Sequence, residues 1–308
     1  MYIPYTGNSA YCFSNSLHIC LQQAGMSRLP QVGLVECMTG MPFGASFLKF
    51  DAPLFFPNPV TLDPDSGLSR ALDILGWTAE LWQGDDSEAA LNALKEALKT
   101  GPVLIGPLDM GFLPYDPNHR SKRGGDHFIV ALKMAGDFVQ VHDPQLYPFV
   151  KLPVSDLLRA WYAKDLGYPT HAYTLRYEFR EQHSLSHDEM LWATLHSAQE
   201  LIHATSTIPV MYGGAVAFKM AADVLQTHPS AAFTGLLTHF ALPLGARRCL
   251  DAANFFRQVD KTEMARLMVE KAEAFGQAQY EASQGNWEAT ADLFSYLVEV
   301  ETRIQQCV

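Results

Sequence analysis

The pattern of segments changes near residue 180. Before it, short β-rich runs alternate with helical periodicities. The expected strands are Val103–Leu108, His127–Lys133, Phe138–His142 and His171–Phe179. Helices are expected at 67–75, at 87–99 behind the caps Asp85 and Asp86, and at 155–163. After residue 180 the strand signal fades. Ser186-His-Asp-Glu189 is a capping box opening a helix to about His203, and helical patterns follow at about 214–226, 245–257, 260–283 and 285–305. An α+β domain over residues 1–180 is therefore expected to precede an all-α domain over 181–308, with no repeat or low-complexity linker between them.

The formal net charge of -11 argues against a nucleic-acid or anionic-membrane partner and would attract a small cation. No run approaches the roughly 20 apolar residues needed to cross a bilayer. The opening Met-Tyr-Ile-Pro-Tyr-Thr-Gly-Asn lacks the basic and apolar regions of a secretory signal. Five cysteines, an odd number without a Cys-x-x-Cys pair, support neither a disulfide framework nor a zinc ribbon. A reducing, cytoplasmic setting is expected.

Two of the expected strands flank a turn around Ala135-Gly136-Asp137, which predicts an antiparallel hairpin. A ladder centred on residue 135 places His127 opposite Asp143. Cross-strand neighbours lie about 5 Å apart, close enough for a carboxylate to orient an imidazole. A one-residue change of register would bring in His142 or Asp126 instead.

Cys12 stands just ahead of an amphipathic segment, Phe13 to Ala24, that ends on Gly25. At a helix N-terminus the unsatisfied backbone N–H groups and the positive end of the macrodipole favour thiolate over thiol. Free cysteine is also a common core residue, so Cys12 alone leaves packing and catalysis both open. Cys20, among Leu17, Leu21 and Ala24, reads as core. An imidazole held by a carboxylate beside such a thiol is what thiol catalysis requires: the ring takes the thiol proton, and the thiolate attacks an acyl carbon.

Cys12 ahead of a helix, Lys99-Thr-Gly101-Pro102-Val103, Gly125-Asp-His127-Phe-Ile-Val and Val139-Gln-Val-His-Asp143-Pro144 together resemble a papain-like cysteine fold close to the bacteriocin-processing peptidases. Within that group the chain is most similar to the family of the butirosin-biosynthesis protein H acyltransferase. Gly245-Ala-Arg247-Arg248 through Phe256, with Gly285-Asn-Trp287, resembles the helical domain that follows the cysteine domain there.

The resemblance implies an α+β papain-like domain with an antiparallel sheet, then a helical lid or acceptor domain. It implies transfer of an acyl group, in specialised metabolism, from an acyl carrier protein or pantetheine thioester through Cys12 to a small amine. His127 is then the general base and Asp143 its orienter. Papain-like enzymes usually carry a glutamine six residues before the cysteine, and Thr6 stands there. The Cys12 amide and the Asn8 side chain are the candidate oxyanion donors. In the basic stretch 118–125, Arg120, Lys122 and Arg123 are candidates for the carrier or its phosphate, with a solvated loop as the plainer reading.

The same site could finish its reaction with water, as a peptidase or amidase, or the scaffold could bind without catalysis. No cofactor or metal is expected, since no acidic or thiol ligand completes the His183, His187, His196 and His203 group. Trp161, Tyr162, Tyr212 and Trp287 read as core or as pocket lining, and Arg247 as a site for an inward salt bridge. Tyr212-Gly213-Gly214 is read as a close-packing point without a preceding strand. A homodimer is left open.

Overall fold

The computed structural model describes residues 3–61, 63–168, 171–227 and 229–307. In chain order the strands are β1 (Ser46–Leu48), β2 (Leu54–Phe56), β3 (Trp77–Gly84), β4 (Val103–Asp109), β5 (Asp126–Ala135), β6 (Phe138–Asp143), β7 (Tyr147–Pro153), β8 (Tyr173–Glu181) and β9 (Met211–Gly213). The first helices are α1 (Cys12–Gln23), α2 (Val32–Thr39), α3 (Pro64–Leu75), α4 (Ser87–Ala97), α5 (Val154–Trp161) and α6 (His187–Ile202). The last are α7 (Gly214–Gln226), α8 (Ala231–Leu236), α9 (Leu242–Gln258), α10 (Thr262–Ser283) and α11 (Trp287–Gln306). The fold is mixed α+β with antiparallel sheets and a helical C-terminal region. Among the described residues, no helix is long and apolar enough to cross a membrane.

Two compact units divide the chain: Met1–Val32 with Leu75–Ser184, and Gly33–Ile74 with Leu185–Val308. A single cut at residue 180 does not describe this division, because residues 33–74 belong with the C-terminal helices. The cause is local. β1 pairs with both β2 and β9, and Phe47 and Phe55 are buried in one cluster with Phe218, Phe233 and Phe294. The strands involved are three residues long, too short for their alternation to be legible in sequence.

The first unit is built on a sheet of order β3-β8-β4-β5-β6-β7, all neighbours antiparallel. One face is covered by α4 and α5, where Leu94, Leu157 and Trp161 pack on Ile105, Ile129, Ala131 and Val141. Trp161 is thus core, its Nε1 donating to Thr174 O at 3.0 Å. Helix α1 packs on β5 through Phe13 against Phe128, ring centroids 5.9 Å apart, and through Ser16 Oγ donating to Phe128 O.

The second unit buries two ion pairs. Arg248 meets Glu36 at 2.8 Å and donates to Pro57 O at 2.9 Å, and Lys271 meets Glu301 at 2.6 Å. The inward arginine of α9 is therefore Arg248, while Arg247 lies on the helix surface against Asp251. Tyr212 and Trp287 pack on this unit's core. Contrary to expectation, Gly213 ends a strand, β9. Gly214 follows with φ 57°, a left-handed conformation suited to glycine, and its N–H donates to Ala45 O.

Candidate active site

Cys12 is the first residue of α1 and is partly exposed. The turn before it is strained, with Ser9 at φ 65° and Tyr11 at φ 56° in the left-handed region. Asn15, fully buried one turn into the helix, holds that turn. Its Nδ2 donates to Asn8 Oδ1 (2.9 Å), Ala10 O (2.6 Å) and Tyr11 O (3.0 Å). The sequence reading missed Asn15. Its signal is a polar side chain on the apolar side of α1, three residues after the cysteine.

His127 Nε2 lies 2.7 Å from Asp143 Oδ1, and the Cys12 side chain is near enough to the ring to favour its protonated form. With Nε2–H committed to the carboxylate, Nδ1 is the ring nitrogen left for the Cys12 side chain. Burial, the largest influence, would push the His127 ring down, yet the charges and hydrogen bonds of Asp143 and Cys12 raise it to about 10. Burial likewise would raise the Asp143 carboxyl, but His127, Gln145 N–H and the Tyr115 hydroxyl hold it below the usual carboxylate range. Proton transfer from sulfur to His127 would thus produce an imidazolium that the carboxylate already stabilises.

The hairpin brings these groups together in a register other than the expected one. The turn is Gly136-Asp137, closed by Ala135 opposite Phe138, and His127 and Asp143 are not directly opposed. From the turn, Met134 pairs with Val139 and Lys133 with Gln140, but beyond Leu132 the pairs are Ala131 with Val141 and Val130 with His142. Leu132 is thus a bulge. Had the first register continued, His142 would share the face of His127. The extra residue restores Asp143 to that face, one diagonal step from His127. His142 turns away, with Nε2 donating to Ile3 O and Nδ1 accepting from Phe149 N–H.

Asp143 has further donors that sequence reasoning missed. The Tyr115 hydroxyl donates to Oδ2 at 2.7 Å, and Gln145 N–H donates to Oδ1 at 2.7 Å. Burial and the Asp143 charge push the Tyr115 phenol well above its ordinary value, so it stays a donor. The Tyr5 hydroxyl donates to the Asp143 carbonyl at 2.8 Å. Only the aromatic character of these residues was visible in sequence.

Of the basic loop, Lys122 is already engaged within the protein. Its ammonium is 2.6 Å from Asp116 and donates to Gln145 Oε1 at 3.0 Å, tying the loop to the residues after Asp143. Arg120 and Arg123 are exposed. Asn8 is exposed, and its Oδ1 accepts from Asn15 and from Ala10 N–H, which leaves only Nδ2 to donate. Thr6 Oγ1 is 3.2 Å from His18 Nδ1. The backbone partner of that ring is the Pro30 carbonyl, which can only accept, so Nδ1 accepts from Thr6.

The remaining cysteines differ from Cys12. Cys20, Cys37 and Cys249 are buried, with thiols pushed up by burial, that of Cys249 to about 11. Cys307 is exposed. Among the described residues, no group of three His, Cys, Asp or Glu is placed to hold a metal ion. His187 Nε2 instead lies 3.2 Å from Gln258 Oε1.

Comparison with known proteins places the chain. It is 31% identical over 301 residues to the uncharacterized protein YobF of Bacillus subtilis (strain 168), covering 97% of this chain and 96% of that one. The chain belongs to the YobF family. Residues 208–308 of this YobF-family chain match the model of the YobF C-terminal domain. Among solved structures, a Bacillus anthracis chain proposed to be a C39-like peptidase aligns over 58% of this chain and 96% of its own, at 15% identity and a TM-score of 0.40.

Proposed function

We propose that this YobF-family protein is a cysteine-dependent acyl-transfer enzyme on a papain-like scaffold, with Cys12 as nucleophile, His127 as base and Asp143 as orienter. The observation that carries the reading is the His127 ring, bonded to the buried Asp143 carboxylate and raised in pKa by the nearby Cys12 side chain. The proton shared by Cys12 and His127 sits on the ring as sulfur attacks an acyl carbon. The imidazolium then protonates the leaving thiol or amine, leaving an acyl-Cys12 thioester. An acceptor amine gives up a proton to His127 as its nitrogen displaces the sulfur, forming an amide and returning the thiol. The Cys12 amide, in the first turn of α1 where no intrahelical acceptor exists, is the nearest oxyanion donor in this scheme.

The donor we propose is a pantetheine or carrier-protein thioester, and the acceptor a small amine, consistent with the net charge of -11. Incubation with an acyl-pantetheine thioester, with and without candidate amines, tests this by intact mass and product analysis. An acyl adduct on Cys12 and an amide product are expected. Free acid alone, whatever amine is supplied, would make the protein a hydrolase. No adduct on Cys12 would contradict the covalent step.

A further inference from the structure

We infer that Arg123, Arg159 and Phe112 form a seat for the phosphate group of a phosphate monoester. The guanidinium of Arg123 lies 4.8 Å from the centroid of the Phe112 ring, and that of Arg159, which comes from α5, lies 4.4 Å from the same centroid. Two like charges are thereby gathered on one ring by separate elements. Both side chains are exposed, and neither meets a carboxylate within ion-pair distance among the described residues. Stacking orients a guanidinium while leaving its N–H edge free to donate.

The seat is built rather than incidental. Asp109 Oδ1 accepts from Gly111 N–H at 2.7 Å and from Gly124 N–H at 3.1 Å, joining the segment that carries Phe112 to the one that carries Arg123. Gly111 leaves the room this needs, since a Cβ there would stand 2.3 Å from Arg123 Cγ. Lys122 is already neutralised by Asp116, so the uncompensated charge next to it belongs to the arginines.

Two guanidinium forks suit a dianion with three terminal oxygens better than a carboxylate with two. Arg123 is four residues before His127, so their Cα atoms are no more than about 14 Å apart. A substrate anchored there by its phosphate would gain binding energy remote from the acyl carbon. Assigning the seat to the acyl donor rests on the acyl-transfer reading, whereas the seat itself does not.

The test uses the full chain with Cys12→Ala, which cannot be acylated, titrated calorimetrically at constant ionic strength. Inorganic phosphate is expected to bind about tenfold more tightly than acetate. R123Q and R159Q should each weaken phosphate several-fold, and together by about tenfold or more. Phosphopantetheine should bind more tightly than pantetheine, with the difference lost in the double variant. Equal binding of phosphate and acetate, phosphate affinity indifferent to both substitutions, or equal binding of the two pantetheines would overturn the proposal. If the seat behaves as expected while no thioester acylates Cys12 in the unmodified protein, the acyl-transfer reading falls and the seat stands.

Discussion

Tyr115 donates its hydroxyl to Asp143 Oδ2 at 2.7 Å, while the other oxygen of the same carboxylate holds His127 at 2.7 Å. One carboxylate is thus fixed by a neutral donor on one side and orients the ring on the other. Tyr115→Phe removes only the donor. Because that donor favours the ionised carboxylate, its loss raises the Asp143 pKa, and the acid limb of a kcat/KM profile should move to higher pH. Stability should fall by about 1–2 kcal/mol and kcat/KM by several-fold to about tenfold. A stability loss without movement of the acid limb would make Tyr115 merely structural.

The His127–Asp143 pair sets a pH window for stability. Asp143 is held below its unfolded value near 3.9, so its contribution is present above about pH 4 and lost as pH falls through the folded value. His127 is raised to about 10 from an unfolded value near 6.5. Its contribution is complete below about pH 6.5 and lost as pH rises through the folded value. The difference in denaturant stability between the unmodified protein and the His127→Gln, Asp143→Asn double variant should peak between about pH 4 and 6.5 and shrink towards pH 10. A pH-independent difference would contradict the pairing.

Lys122 holds its loop through Asp116, whose side chain is only 5% exposed. Lys122→Ala leaves that carboxylate without its cation and should cost about 1–3 kcal/mol in thermal or denaturant unfolding. An unchanged stability would return Lys122 to the solvated loop expected from sequence.

In the helical unit, Lys271 and Glu301 form an ion pair with both side chains no more than 2% exposed. Lys271→Met alone strands a buried carboxylate and should destabilise by about 3–5 kcal/mol, whereas Lys271→Met with Glu301→Leu should recover most of that loss. Denaturant titration of both variants checks the prediction.

Much of this arrangement was legible in sequence because it depends on long periodicities and strong local signals. Helices α6, α7, α9, α10 and α11, the Ser186–Glu189 capping box and strands β4, β5, β6 and β8 follow from such patterns, whereas the short α8 (Ala231–Leu236) was not expected. What escaped depends on single residues or on distant pairing. The Leu132 bulge is invisible to alternation, yet it decides whether Asp143 or His142 shares a face with His127. The expected hairpin was two residues out beyond that bulge, and an even error preserves the face because side chains repeat every two residues. β1, β2 and β9 are defined by partners in distant parts of the chain, so the membership of residues 33–74 could not be read locally. Asn15 and Tyr115 are ordinary residues until the backbone brings acceptors to them.

Alkylation at neutral pH, resolved cysteine by cysteine by peptide mass, tests most directly whether Cys12, His127 and Asp143 act as one unit. Cys12 and Cys307 are both accessible, so their rates can be compared within one molecule. Cys12 should react about tenfold or more faster than Cys307, and His127→Ala should bring it down towards the Cys307 rate. A Cys12 rate equal to that of Cys307, or one indifferent to loss of His127, would contradict the account.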